Sequence, residues 1–275
     1  MSEKIGLIAG KSQFPLLFAR TAQSQGLEVV AAAHYGETDP ALGHLVSRLQ
    51  WVYVGQLGRI IRFFKAAGVK RAVMAGGITK GRLFSHLRPD FRTINLLRRV
   101  GRARDDGVLR AVAAELEREG ITIVPSTLFL KELLAPQGVL SHRQPTRAER
   151  QDVDYGFQIA KEIGRLDIGQ CVVVRRQAVL ALEAIEGTDE TIRRGGRLAG
   201  EQAVIVKVSK PGQDLRFDVP AVGLETIKTM IEVKAAVLAV EADKTLIFDR
   251  EAMLAAANQA RIAVLGVTFE DGLTP

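Results

Sequence analysis

One cysteine, Cys171, is all the thiol chemistry the 275 residues carry. It excludes an intramolecular disulfide and fits a reducing compartment. Within the apolar run Cys171-Val172-Val173-Val174 it reads as a buried strand residue rather than a nucleophile. Histidine is as sparse: His34, His44, His86 and His142 are scattered, with no pair at zinc-ligand spacing. Aromatic residues make up 5%, which argues against a surface that stacks single-stranded nucleic acid, and no nucleic-acid-binding signature is present. No Gly-x-Ser-x-Gly elbow announces an acyl-transfer triad. No apolar run has the length of a membrane span, and Met1-Ser2-Glu3-Lys4-Ile5 lacks the layout of a signal peptide. The expectation is a cytoplasmic protein that does not bind nucleic acid.

What is present is ordinary for a globular chain with a substantial core: 47% hydrophobic and 25% charged residues, with a net charge of +7. The length suits two domains. Apolar runs at 4–9, 28–34, 51–54, 71–75 and 121–124 read as strands. Helical patterns at 14–25, 56–67, 105–119 and 128–134 fall between or after them. Strands alternating with helices, with few hairpin signals, predict a parallel, Rossmann-like sheet in the first half. Residues 135–145 carry two prolines and a glycine without periodicity and read as a linker. Thr146-Arg147-Ala148-Glu149 then has the form of a capping box opening a helix to about Ile163. The predicted fold is therefore α/β: a Rossmann-like N-terminal domain (1–134), a linker (135–145) and a mixed α/β C-terminal domain (146–275).

In a parallel sheet, ligands bind beyond the carboxyl ends of the strands. That places Gly10, Ser12, Gly76 and Gly77 beside any ligand of the first half. Gly10-Lys11-Ser12 ends like a Walker A loop, but the first glycine that motif needs would fall at Ile5. The repeated glycines of a dinucleotide fingerprint are also missing, and His34 and Tyr35 stand where an acid would take a ribose hydroxyl. The turn reads either as a helix-entry anion site or as a plain strand–helix turn. Asp105-Asp106 opens a helix, where acids suit the helix dipole. The stretch 82–104 is the most basic: Arg82, Arg88, Arg92, Arg98, Arg99, Arg102 and Arg104 interleave with Leu83, Phe84, Leu87, Phe91, Leu96 and Leu97. It is either a solvated helix face or a surface for anionic lipid.

The second half gathers acids at the ends of apolar strands. Alternation over 179–186 predicts a strand with Glu183 and Glu186 on opposite faces; Glu186 is preferred for a site because it borders the turn Gly187-Thr188-Asp189. Asp189 either caps the following helix or joins Thr188 and the turn amides in a phosphate–metal site. Lys207 and Lys210-Pro211-Gly212-Gln213 precede a second predicted strand, Asp214–Val219. Its alternation puts Asp214, Arg216 and Asp218 on one face. Asp214 and Asp218 would be roughly 13 Å apart on an extended chain, too far to share an ion unless the strand bends. Carboxylates here suit a hard cation, and lysines with glycine-bordered backbone suit a phosphate.

Gly6-Leu-Ile-Ala-Gly10, Asp105-Asp106, Asp167-Ile-Gly-Gln170, Ile185-Glu-Gly-Thr-Asp189, Lys210-Pro-Gly-Gln-Asp214 and Arg216-Phe-Asp-Val-Pro220 together carry a further signal. In that order and spacing the chain resembles the LpxI type of UDP-2,3-diacylglucosamine pyrophosphatase over essentially its full length. The resemblance implies hydrolysis of the lipid nucleotide to 2,3-diacylglucosamine 1-phosphate (lipid X) and UMP in lipid A synthesis. It further implies Mg²⁺, water attack on the α-phosphorus, two domains with the substrate between them, a homodimer, and peripheral contact with the inner membrane. Under that implication Asp218 is the principal catalytic carboxylate, with Asp189 second. Asp218, Asp189, Glu186 and Asp214 are candidate metal ligands. Gly10, Ser12, Gly76, Gly77, Thr188, Lys207, Lys210 and Gln213 are candidate substrate contacts. The rival expectations are an NAD(P)-dependent Rossmann-like oxidoreductase and a non-enzymatic membrane-surface binding module.

Overall fold

A computed structural model describes residues 3–79, 87–100, 105–217 and 219–268, the side chains of Val100, Asp105 and Asp106 excepted. The chain divides into two compact units, Met1–Lys131 with Asp214–Asp218, and Glu132–Gln213 with Val219–Pro275.

The first unit runs β1 (Lys4–Ala9), α1 (Phe14–Ser24), β2 (Glu28–His34), β3 (Arg48–Val52), α2 (Leu57–Ala67), β4 (Arg71–Ala75), α3 (Phe91–Val100), α4 (Asp105–Arg118) and β5 (Thr122–Ile123). All five strands are parallel, in the order β3-β2-β1-β4-β5. The Rossmann-like expectation holds for a physical reason. β1 and β2 are apolar on both faces, as a strand covered on two sides must be; α1 connects β1 to β2, α2 connects β3 to β4, and α3 with α4 lies between β4 and β5. Gly6 lies within β1 where a Cβ would sit 2.8 Å from the Ala72 Cβ. Pro15 stands in the first turn of α1. Gly68 ends α2 in the left-handed conformation, φ +76°.

The third strand covers Arg48–Val52 rather than 51–54, and the predicted helix at 128–134 is two 3-10 turns, Ser126–Leu128 and Lys131–Leu133. Arg92 binds Glu115 at 3.2 Å and Glu119 at 2.6 Å, tying α3 to α4. From the basic stretch, Arg82, Arg102, Arg104, Leu83 and Phe84 lie outside the described residues.

The second unit holds β6 (Gly138–Val139), α5 (Arg147–Arg165), β7 (Cys171–Arg175), β8 (Ala178–Leu182), α6 (Thr188–Ala199), β9 (Val204–Lys207), β10 (Ala221–Val222), α7 (Leu224–Glu232), β11 (Val237–Glu241), β12 (Leu246–Ile247), α8 (Arg250–Gln259) and β13 (Ala263–Val267). A six-stranded mixed sheet has the order β6-β13-β11-β9-β7-β8, and β10 pairs with β12. β9, β11 and β13 are parallel; β6, and the hairpin of β7 and β8, are antiparallel to their neighbours.

The capping box is present: Glu149 N–H donates to the Thr146 hydroxyl at 3.3 Å, and Thr146 N–H to the Glu149 carboxylate at 2.7 Å. Val153, Phe157, Ala160 and Ile163 of α5 cover one sheet face with Val172, Val174, Val204 and Val206. Ile192 of α6, Ile227 and Met230 of α7, and Met253 and Ala257 of α8 cover the other with Val173, Ile205 and Leu238. The turn Arg176-Gln177 takes positive φ at both residues, the geometry a two-residue hairpin demands. Asp152 of α5 supports it by accepting both backbone N–H groups, at 2.9 and 2.6 Å.

Three sequence expectations are corrected here. The stretch read as a linker is sewn into the second unit: Ala135 N–H donates to Thr245 O at 2.8 Å, and β6 pairs with β13. The strand predicted over 179–186 ends at Leu182, because Glu183 turns inward to bind polar groups. In place of the strand predicted over Asp214–Val219, the described residues 215–217 form a turn, with Phe217 N–H donating to Asp214 O at 3.0 Å. Its apolar residue Phe217 is buried in the core of the first unit, not in a sheet.

α6 lies close to the sheet because Gly195 and Gly196 lack side chains. A Cβ on Gly195 would fall 2.5 Å from the Val173 Cβ, and one on Gly196 2.4 Å from the Val233 Cβ. Gly195→Ala therefore overpacks a rigid β-branched strand residue and should destabilise by about 1–3 kcal/mol, read as a lowered thermal midpoint. An unchanged midpoint would mean the helix can lift off without loss.

Candidate active site

In the second unit, the carboxyl ends of β8, β9 and β11, the amino end of β7 and the start of α6 share one end of the sheet. Here the chain places the residues with the chemistry. Gly187 opens α6 at φ +86°, without a side-chain cap, leaving first-turn amides to face outward. Thr188 follows, and its hydroxyl donates to Glu183 Oε1 at 2.8 Å. Asp189 and Glu190, in the first turn, complement the helix dipole. Asp189 is exposed.

Glu183 is buried. Besides Thr188 it accepts the Gln170 N–H at 3.0 Å, and its own N–H donates to Cys171 O at 2.8 Å. It thus joins the Asp167-Ile-Gly-Gln170 turn to the Gly187-Thr-Asp189 turn. Gly169 is required there, since a Cβ would lie 2.0 Å from Glu183 O. The Cys171 thiol is fully enclosed, and burial ahead of the Glu183 charge pushes it up beyond any useful ionisation.

Lys207, at the end of β9, is also buried; its Nζ donates to Ala221 O at 2.8 Å. The Lys210-Pro-Gly-Gln213 loop is a turn closed by Gln213 N–H to Lys210 O at 3.0 Å, with Gly212 at φ +75°. Proline then glycine is the order a type II turn selects. Gln213 Oε1 accepts from Ser209 Oγ at 3.1 Å and Lys210 N–H at 2.9 Å, and Lys210 Nζ reaches Asp167 Oδ1 at 2.8 Å.

Beneath this loop is an ion cluster that sequence reading missed. Glu241, 3% exposed, binds Lys161 at 2.5 Å and Lys244 at 2.8 Å and accepts the Ser209 N–H at 2.8 Å. Lys161 Nζ also donates to Ser209 O at 2.8 Å. Burial pushes the Glu241 carboxyl up, but the two lysines and the Ser209 amide together hold it below the usual range. Burial pushes the Lys161 ammonium down, against the pull of Glu241. An acid closing the apolar run Val237–Glu241 was the signal available in the sequence.

Glu186 and Asp214 have arginine partners. Glu186 binds Arg194 at 2.6 Å and accepts the Ala184 N–H at 3.1 Å. Its own backbone N–H first, and then Arg194, hold the carboxyl low. Asp214, in the first unit, takes two bonds from Arg216, at 2.9 and 2.7 Å, and that pairing above all holds its carboxyl low. Asp218 lies outside the described residues. Among the described residues no group of three or more His, Cys, Asp and Glu side chains could hold a metal ion. Mg²⁺, however, is commonly held by one or two carboxylates with water and substrate phosphate completing its shell. Asp189, whose side chain is exposed in the first turn of α6, fits such a role.

In the first unit, Gly10, Ser12, Gly76 and Gly77 meet where β1 and β4 end, on either side of the sheet's topological switch. Gly10 N–H donates to Ala75 O at 2.8 Å and Lys11 N–H to Gly77 O at 2.7 Å. A Cβ on Gly10 would lie 2.4 Å from Gly77 O, so the two glycine turns touch backbone to backbone. Ser12 adopts φ +100° and its hydroxyl accepts the Phe14 N–H at 3.2 Å. Buried His34 donates through Nδ1–H to Ala9 O, 2.8 Å away, and burial lowers its pKa.

A Rossmann-like parallel unit joined to a mixed α/β unit, with lysines, carboxylates and glycine turns at the strand ends, defines a two-unit α/β protein. Comparison with known families sharpens that class. Residues 4–133 match the LpxI N-terminal domain and residues 136–265 the LpxI C-terminal domain. The chain belongs to the LpxI family. It is 35% identical to the UDP-2,3-diacylglucosamine pyrophosphatase LpxI of Caulobacter vibrioides, over 96% of this chain and 97% of that protein. Solved structures give only remote likeness. The biotin carboxylase subunit of pyruvate carboxylase is 14% identical, with a TM-score of 0.27, over 63% of this chain and 35% of that one. The N5-carboxyaminoimidazole ribonucleotide synthetase of Thermotoga maritima is 15% identical, with a TM-score of 0.26, over 66% and 41%.

Proposed function

We propose that the protein hydrolyses UDP-2,3-diacylglucosamine to lipid X and UMP, a step of lipid A synthesis, with a divalent cation such as Mg²⁺. The observation that carries this reading is the 35% identity to a pyrophosphatase of that name across nearly the whole of both chains. The site chemistry supports it. Lys207, Lys210 and the first-turn amides of α6 offer positive charge to a diphosphate. Gln213, through Ser209 and Lys210, sets the shape of the loop that carries one of those lysines. Asp218 is the proposed acceptor of the water proton, with Asp189 as the second carboxylate.

In the proposed reaction, a water oxygen bonds to the α-phosphorus while the bond from that phosphorus to the bridging oxygen breaks. The bridging oxygen leaves with the β-phosphate on lipid X, and the water proton passes to the carboxylate. A bound cation would neutralise charge on the phosphate oxygens.

Peripheral contact with an anionic membrane surface is part of the proposal. Exposed Leu87, Phe91 and Ile94 stand among Arg88, Arg98 and Arg99, the apolar-and-basic mixture an interfacial helix presents. Among the described residues no helix is long and apolar enough to cross a membrane. Assembly as a homodimer, which the resemblance implies, completes the proposal.

The decisive assay offers UDP-2,3-diacylglucosamine with Mg²⁺, and again with a chelator, in ¹⁸O-labelled water. UMP carrying the label, formed only with the cation present, is expected. Label in lipid X instead would overturn α-attack, and undiminished turnover in chelator would remove the cation. Turnover of NAD(P)H with no UMP release would replace the whole reading with an oxidoreductase.

A further inference from the structure

The chain is poor in aromatic residues, yet its only tryptophan and two of its three tyrosines form one cluster in the first unit. Tyr35 stacks on Trp51 with ring centroids 5.5 Å apart and planes 26° from parallel, and lies tilted against Tyr53, with centroids 4.7 Å apart and planes at 35°. The Arg88 guanidinium lies 4.0 Å from the Tyr53 ring centroid. Core packing would account for such a cluster if it were buried. It is not: Tyr35 is 40% exposed, Trp51 and Tyr53 are half-buried, and Arg88 is exposed.

The cluster is also held firmly. Tyr35 directly follows β2 and its N–H donates to Val52 O at 3.0 Å, continuing the ladder to β3; Arg88 N–H donates to Val54 O at 2.9 Å. It sits at the carboxyl ends of β2 and β3, to one side of the switch between β1 and β4 where the glycine turns meet. That edge is where open parallel sheets take ligands. A partly exposed, preorganised aromatic cluster beside a guanidinium suits a planar heteroaromatic ring attached to an anionic group.

We propose that Tyr35, Trp51 and Tyr53, with Arg88, form a stacking platform for the pyrimidine ring of a uridine nucleotide. The choice of uridine rests on the reaction proposed above; the ring-stacking chemistry rests on the cluster itself.

Trp51, as the sole tryptophan, reports directly on the platform. Titrating the full-length protein with UMP should change its emission saturably, while inorganic phosphate at equal concentration should not. Tyr35→Ala should weaken UMP binding about tenfold or more, with Tyr35→Phe close to wild type and both melting like the parent. The same variants are assayed for hydrolysis of UDP-2,3-diacylglucosamine. If wild type turns over but Tyr35→Ala binds UMP and substrate unchanged, the platform is lost and the reaction stands. If UMP binding depends on Tyr35 but wild type shows no hydrolysis, the reaction is lost and the platform stands. An equal response to phosphate, or a blue shift on anionic vesicles with none on UMP, would overturn the platform in favour of an anion site or a lipid contact.

Discussion

Asp218→Ala should lower kcat for UDP-2,3-diacylglucosamine by roughly 10²–10⁴-fold, the range that removal of a positioned acid–base group commonly costs. The case for Asp218 is partly one of elimination. Asp214 is committed to Arg216 by two short hydrogen bonds, and its depressed pKa makes it a weak proton acceptor. Glu186 is likewise committed to Arg194. Glu183 is buried among donors it already satisfies. Asp214→Asn should therefore cost far less in kcat than Asp218→Ala, and act mainly by freeing Arg216. Turnover assays of purified variants with matched far-UV spectra decide the matter. Wild-type rates in Asp218→Ala would remove it from the reaction while leaving family membership intact.

The centre of the first unit's sheet was legible because β1, β2 and β4 are apolar runs on both faces, and such runs declare themselves without knowledge of their neighbours. The opening of α5 was legible for a similar local reason: Thr146 and Glu149 satisfy each other across three residues. What failed was inference from period-two alternation. Leu215, Phe217 and Val219 alternate with polar residues as a strand would, but only three-dimensional context reveals that Phe217 fills the core of a different unit. Arg216 then folds back on Asp214 instead of lining a strand face.

The same limit hid Glu183. Alternation over 179–186 put Glu183 and Glu186 on opposite faces, and the neighbouring turn made Glu186 the preferred site residue. In the structure the strand stops between Leu182 and Glu183. The first acid is drawn in by Gln170 and Thr188, and the second is left to a surface arginine. The pairing that decides between them involves Gln170, thirteen positions away. The aromatic cluster was missed for another reason: a low aromatic fraction says nothing about whether the few rings present stand together.

Glu241→Ala should destabilise the second unit by about 3–5 kcal/mol, the usual cost of breaking a buried ion pair from one side. The side chains of Glu241 and Lys161 are 4% and 16% exposed, so loss of the acid strands an ammonium with little water to receive it. It also removes the acceptor for the Ser209 N–H at the root of the Lys210 loop. The double variant Glu241→Leu/Lys161→Met should recover much of that stability, because apolar residues of similar volume need no compensation. It should not recover the loop's geometry, so stability and activity should part company in the double variant. The pH dependence follows from the signs. The folded-state pKa of Glu241 is depressed, so its stabilising contribution is complete above the ordinary carboxylate range and is lost as pH falls through the folded value. The folded-state pKa of Lys161 is also depressed; its contribution is least favourable while the ammonium is charged and improves as pH rises from that folded value toward the ordinary lysine value. Chemical denaturation across pH should thus show an acid limb in wild type that is shallower in the double variant. Identical acid limbs in the two proteins would mean that the cluster contributes nothing through its charge.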